Sequence, residues 1–209
     1  MILGGARSGK SRRAQRLAGS LGRRRLIVAT AEPFDEEMRE RIARHRAERD
    51  TSWRTLEVPL ALPEALARVV GGGGRGYGGD GSVEDSSGSL SGTGDDVDVV
   101  LVDCLTLWLS NLMLGEHDVE VAVETLLAVL ARPAVPLVLV SNEVGFGLVP
   151  ETPLGRRFRD AQGWLNQRVA DAATRVELVV AGQSLVVRGA PLAEPTEALA
   201  RAASPVPKR

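Results

Sequence analysis

Residues Gly4, Gly5, Ala6, Arg7, Ser8, Gly9, Lys10 and Ser11 satisfy the pattern G-x-x-x-x-G-K-[ST]. Such a loop handles phosphates. Its glycines let backbone N–H groups curl around a β-phosphate, and the start of the following helix adds its positive end. Lys10 then reaches the β- and γ-phosphates, and the Ser11 hydroxyl coordinates Mg²⁺. Of 26 basic residues, only Lys10 and Lys208 are lysine; all others are arginine. That exception is either chance or a need for a compact ammonium, which slips under a phosphate where a planar guanidinium does not. A second element is Val99-Val-Leu-Val-Asp103, an apolar run ending in a carboxylate. Beside a phosphate loop, Asp103 is placed to hold the Mg²⁺; standing alone, it would cap the next helix.

A third group surrounds His45. Asp35 is a good N-cap, and Glu36 and Glu37 suit the positive end of a helix over 35–49. Met38 and Ile42 mark its apolar stripe, with His45 on the same side. Arg41, Arg44, Arg46 and Arg49 flank the imidazole. Four cations oppose a fifth, so the imidazole is expected to be neutral, as a nucleophile toward a nucleotide α-phosphate must be. The competing reading is a histidine on a solvated Arg/Glu face. His117, in Gly115-Glu-His-Asp118, has no such company and reads as a loop residue. Glu143, in Asn142-Glu143-Val144-Gly145, is either an acid/base or Mg²⁺ group or a satisfied loop carboxylate.

These residues need a scaffold. Strands are predicted over 26–30, 97–103, 136–141, 176–181 and 184–188, and their near-continuous apolar character suits a parallel sheet covered on both faces. Helices are predicted over 10–21, 35–49, 105–114, 119–131 and 154–173. This alternation implies an α/β fold with right-handed crossovers. Gly182 and Gln183 alone separate the last two strands, which should form an antiparallel hairpin at the sheet edge. Only Met1, Ile2 and Leu3 precede the loop, so the first strand is short. It begins at the terminus, or the true start lies upstream of Met1.

One domain over 1–189 is expected, with a tail from 190 to 209 rich in proline. Segment 71–96 carries eleven glycines and five serines; it cannot bury enough apolar area to offset its chain entropy and is expected to be a disordered insertion. Charged residues make up 25% of the chain and the net charge is −1, which gives no footprint for nucleic acid. One cysteine, Cys104, excludes an intrachain disulfide and a cysteine-cluster metal site. No apolar run approaches the ~18 residues of a membrane helix. No secretory signal is visible at the amino end, so a cytoplasmic location is expected.

GGARSGKS at 4–11, VATAEPFDEEMRERIARHRAER at 28–49, WRTLE at 53–57, VDCLTLWLSNLM at 102–113 and SNEVGFGLVPETPLGRRFRDAQGWLNQRVA at 141–170 together resemble one family. It is the bifunctional adenosylcobinamide kinase/adenosylcobinamide-phosphate guanylyltransferase family of cobalamin biosynthesis. The resemblance runs from about Ile2 to Arg188, broken by the glycine-rich segment. It implies a RecA-like P-loop domain, a corrinoid substrate, GTP and ATP with Mg²⁺, no tightly bound organic cofactor, and a homotrimer. It makes His45, in the RIxxH stretch, the guanylylated residue. It also assigns nucleotide contacts to Gly4 through Ser11, to Ala29, Thr30 and Ala31, to Arg46, Ala47, Glu48 and Arg49, and to Glu57 and Asp103.

Overall fold

Val100, Leu101 and Val102 are completely buried and belong to apolar clusters on the two faces of the sheet, because the strand they form lies mid-sheet with helices on either side. The computed structural model describes residues 1–32, 36, 39–40, 52–70 and 97–190. Seven strands make one sheet: β1 (Ile2–Gly4), β2 (Arg25–Ala29), β3 (Trp53–Glu57), β4 (Val99–Asp103), β5 (Leu137–Asn142), β6 (Val176–Val180) and β7 (Gln183–Arg188). Their spatial order is β3-β2-β4-β5-β1-β6-β7. All neighbours are parallel except β6 and β7, which form the expected antiparallel edge pair. The hairpin turn is Ala181-Gly182, both with positive φ (49° and 77°), the backbone twist that a two-residue hairpin favours.

Side-chain alternation sorts the sheet into two faces. Ile27, Val99, Leu101, Val138 and Val140 point toward α1 (Lys10–Leu21), which meets them with Ala14 and Ala18. Val28, Val100, Val102 and Leu139 point the other way. Four helices complete that second face: α2 (Leu62–Val70), α3 (Leu105–Leu114), α4 (Val119–Leu130) and α5 (Pro153–Ala172). Trp108, fully buried on α3, anchors the face and donates its indole N–H to Leu60 O at 2.8 Å. Among the described residues, no helix is long and apolar enough to cross a membrane.

Most expected elements stand within one or two residues of their bounds. Two were not foreseen, β3 and α2. Strand β3 is an edge strand with Arg54, Thr55 and Glu57 exposed, so it lacks the apolar run that marks the central strands. Of the helix expected over 35–49, only Glu36, Arg39 and Glu40 are described, and all three are helical. Segment 71–96 and the tail from residue 191 lie outside the described residues.

The short first strand is fully integrated. Ile2, Leu3 and Gly4 pair with Val140, Ser141 and Asn142 on one side and with Glu177, Leu178 and Val179 on the other. Three residues suffice because β1 is flanked on both edges and Ile2 is completely buried.

Candidate active site at the carboxyl edge of the sheet

Parallel strands deliver their carboxyl ends to one edge, and in such sheets ligands bind there. Register places the candidates at nearly one level. Gly4 pairs with Asn142, Asp103 with Val140 and Ala29, and Ala29 with Glu57. The phosphate loop, Asp103, Ala29 and Glu57 therefore share that edge. Strand β5 sits between β1 and β4, so the loop and Asp103 stand two strand spacings apart, about 10 Å.

The loop turns where its sequence allows. Gly9, with φ 95°, caps α1, and Arg7 also adopts positive φ (56°). A Cβ on Gly4 would stand 2.5 Å from Ser8 Oγ and 2.6 Å from Val179 O. Glycine is required there by close approach rather than by φ. Lys10 is buried and donates from Nζ to Gly5 O at 3.1 Å, closing the loop on itself. The edge hairpin braces the loop from outside: Gly182 N donates to Ser8 O at 2.8 Å.

Behind the hairpin lies a charge cluster that the sequence did not advertise. Glu177 on β6 is 0% exposed and accepts from Arg13 Nε on α1 and from Arg175 Nε, each at 2.7 Å, and from Ser184 Oγ on β7. Burial alone would raise its pKa, but hydrogen bonds from Arg13, Ser184 and Arg175 outweigh it and hold the carboxyl at about 2. The cluster ties α1, and so the loop at its start, to the last two strands.

The Asp103 end is held by Thr30. Its hydroxyl donates to Cys104 O at 2.7 Å and accepts from Cys104 N at 3.0 Å, and its amide donates to Asp103 O at 3.3 Å. Thr30 is fully buried, and its own carbonyl accepts from Asn111 Nδ2 at 2.8 Å. The same amide group reaches Pro59 O at 2.9 Å. Thr30 thus acts on this edge by fixing the turn after Asp103. The Cys104 thiol, pushed up to about 11 chiefly by burial, is no nucleophile at neutral pH.

The end of β5 rests on a buried polar network, also unforeseen. Ser141 Oγ donates to Asn166 Oδ1 at 2.7 Å, and Gln162 Nε2 reaches both at 3.0 Å. Asn166 Nδ2 donates to Asn142 O at 3.0 Å, and Asn142 N donates to Thr106 Oγ1 at 2.7 Å. The available signal was two amides, Gln162 and Asn166, spaced i, i+4 on the buried face of α5. Polar groups at that spacing on an apolar stripe are there to bond something.

Glu143 begins the loop after β5. Its amide donates to Gly4 O at 3.1 Å, and its Oε1 accepts from Gly145 N at 2.6 Å. His117 is exposed in the turn between α3 and α4, as expected. His45, Arg46, Ala47, Glu48 and Arg49 lie outside the described residues; Ala31 is half-buried just past β2.

The donor set fits a hydrated Mg²⁺ brought by a triphosphate. Ser11 offers a hydroxyl and Asp103 a carboxylate, both hard oxygens. Among the described residues there is no group of three or more His, Cys, Asp or Glu side chains that could hold a metal ion.

The sequence profile of the cobinamide kinase/cobinamide phosphate guanyltransferase family matches residues 1–72 and 82–187. A Pseudomonas aeruginosa protein named bifunctional adenosylcobalamin biosynthesis protein CobP is 43% identical over 194 residues, spanning 92% of this chain and 98% of the relative. Proteins named bifunctional adenosylcobalamin biosynthesis protein CobU, from Escherichia coli and Salmonella typhimurium, are 34% and 33% identical over 203 residues. Each of those matches spans 90% of this chain and 98% of the relative.

Proposed function

The chain belongs to the cobinamide kinase/cobinamide phosphate guanylyltransferase family of enzymes, and on that premise we propose that it works through a covalent histidine–GMP intermediate on His45. In the transferase reaction, the His45 imidazole attacks the α-phosphorus of GTP. An N–P bond forms, the bond from the α-phosphorus to the bridging oxygen breaks, and pyrophosphate leaves. A phosphate oxygen of adenosylcobinamide phosphate then attacks the same phosphorus, the N–P bond breaks, and adenosylcobinamide-GDP is released. Splitting the transfer replaces one difficult displacement with two easier ones. In the kinase reaction, the aminopropanol hydroxyl of adenosylcobinamide attacks the γ-phosphorus of ATP or GTP, loses its proton, and expels the nucleoside diphosphate.

The observation that carries this reading is that the phosphate loop and Asp103 lie on the same edge of the sheet, on either side of β5. Lys10 exchanges Gly5 O for β- and γ-phosphate oxygens, while the loop amides and the start of α1 hold the remaining charge. Ser11 and Asp103 would hold Mg²⁺, which when bound supplies charge neutralisation on the triphosphate. Ala29, Thr30, Ala31 and Glu57, with Arg46, Ala47, Glu48 and Arg49, complete the nucleotide-binding set in this reading. A homotrimeric, cytoplasmic enzyme is part of the same proposal and rests on the family resemblance.

Incubation with α-labelled GTP and Mg²⁺, followed by denaturing electrophoresis, tests it directly. Wild type should carry an acid-labile, alkali-stable label that His45→Ala lacks. Folded, GTP-binding wild type without label would leave a plain small-molecule kinase or a nucleotide-binding module.

A further inference from the structure

The loop that follows β5 has a polar root and an apolar tip. At its root, Glu143 N donates to Gly4 O of the phosphate loop, and the Glu143 carboxylate accepts from Gly145 N to make the turn. At its far end, Arg156 Nη1 on α5 donates to Pro150 O at 3.0 Å and to Glu151 O at 2.7 Å. Between these ties the side chains of Phe146, Leu148 and Val149 are 83%, 96% and 64% exposed. A short loop tied at both ends that leaves three large apolar side chains exposed offers apolar surface to a ligand.

Its position says what it meets. In both proposed half-reactions the acceptor is the same arm of the corrinoid, first as a hydroxyl and then as a phosphate. The macrocycle that bears the arm must dock within an arm's length of the phosphate loop. Between its amide side chains the ring carries methyl groups, and a loop of glycines, Lys10 and backbone amides offers these no apolar surface to pack on. Residues 144–149 start two positions past the end of β5, directly after Glu143, whose amide bonds Gly4 O of the phosphate loop, and they carry exposed apolar side chains. We infer that Phe146, Leu148 and Val149 form the platform on which the corrinoid macrocycle rests while its arm enters the phosphate site. The inference depends on the functional reading above.

The double variant Phe146→Ser/Leu148→Ser tests it, because both side chains are exposed and folding does not depend on them. The KM for adenosylcobinamide should rise about tenfold or more from the lost apolar burial. Formation of the guanylylated enzyme without corrinoid should match wild type, as should the mass by light scattering. Phe146→Leu/Leu148→Met should recover most of the wild-type KM. An unchanged corrinoid KM overturns the platform. So does a change in assembly with no separate KM effect, which makes the loop a contact between copies of the chain. Wild type that neither binds nor phosphorylates the corrinoid brings down the functional reading itself, and the wild-type arm alone reads that result.

Discussion

Lys10 shows how much a single residue type can carry. It is one of two lysines in an arginine-rich chain, and its ammonium reaches Gly5 O from a buried position. A guanidinium keeps the charge but has neither the thin stem nor the compact head for that space. Lys10→Arg should therefore lower kcat/KM at least about 100-fold in both half-reactions, the cost of misplacing a preorganised charge. Steady-state kinetics on the purified variant check it, with a thermal melt near wild type showing that the fold survives. The phosphate loop was legible in the sequence because its residues are contiguous and each has a local reason. The bonds of Thr30 to Cys104 and to Asn111 were not, since they join residues 74 and 81 positions apart and no local pattern encodes them.

Among the parallel strands, those inside the sheet were easier to read from the sequence than the one at its edge. The central strands β2, β4 and β5 are read from unbroken apolar runs. The edge strand β3 was seen only as a familiar motif, because half-exposed strands lack that run. The junction of α1, β6 and β7 was invisible beforehand, since it hangs on one acid, Glu177, among many. Replacing it tests the junction. Glu177→Gln removes the carboxylate that Arg13 and Arg175, whose side chains are only 19% and 14% exposed, share. The loss should be about 3 kcal/mol at pH 7. The pH dependence follows from the depressed pKa. Folded Glu177 stays ionised down to about 2, against an ordinary value of 4.5. Its contribution is whole above roughly pH 5 and is lost as pH falls toward 2, because the unfolded chain takes up the proton first. Denaturant unfolding at a series of pH values should show the variant's curve flatter than wild type's across that window.

At the scale of the molecule, strand order is what the sequence could not supply. Alternating helices and strands predict a parallel sheet, but nothing local places β5 between β1 and β4 or sets the hairpin beside β1. Those choices come from which faces can be buried together. The glycine-rich segment 71–96, expected from its composition to be an insertion, lies outside the described residues. The family match runs through residue 72 and resumes at 82, so excising 73–81 removes chain the family does without. Shortening a 26-residue connection to 17 changes loop-closure entropy by only about 0.4 kcal/mol. The excised enzyme should melt within roughly 2 °C of wild type and keep both activities.

The bond from Gly182 N to Ser8 O gives the outermost hairpin a second role. That amide sits on a turn at the sheet margin, where protons ordinarily trade with solvent quickly. Here its exchange is governed by whether the phosphate loop keeps its shape. Gly182 is thus a built-in sentinel for an event on the neighbouring loop. Saturating nucleotide should slow deuterium uptake at this one turn amide, with the far edge at β3 as the silent control.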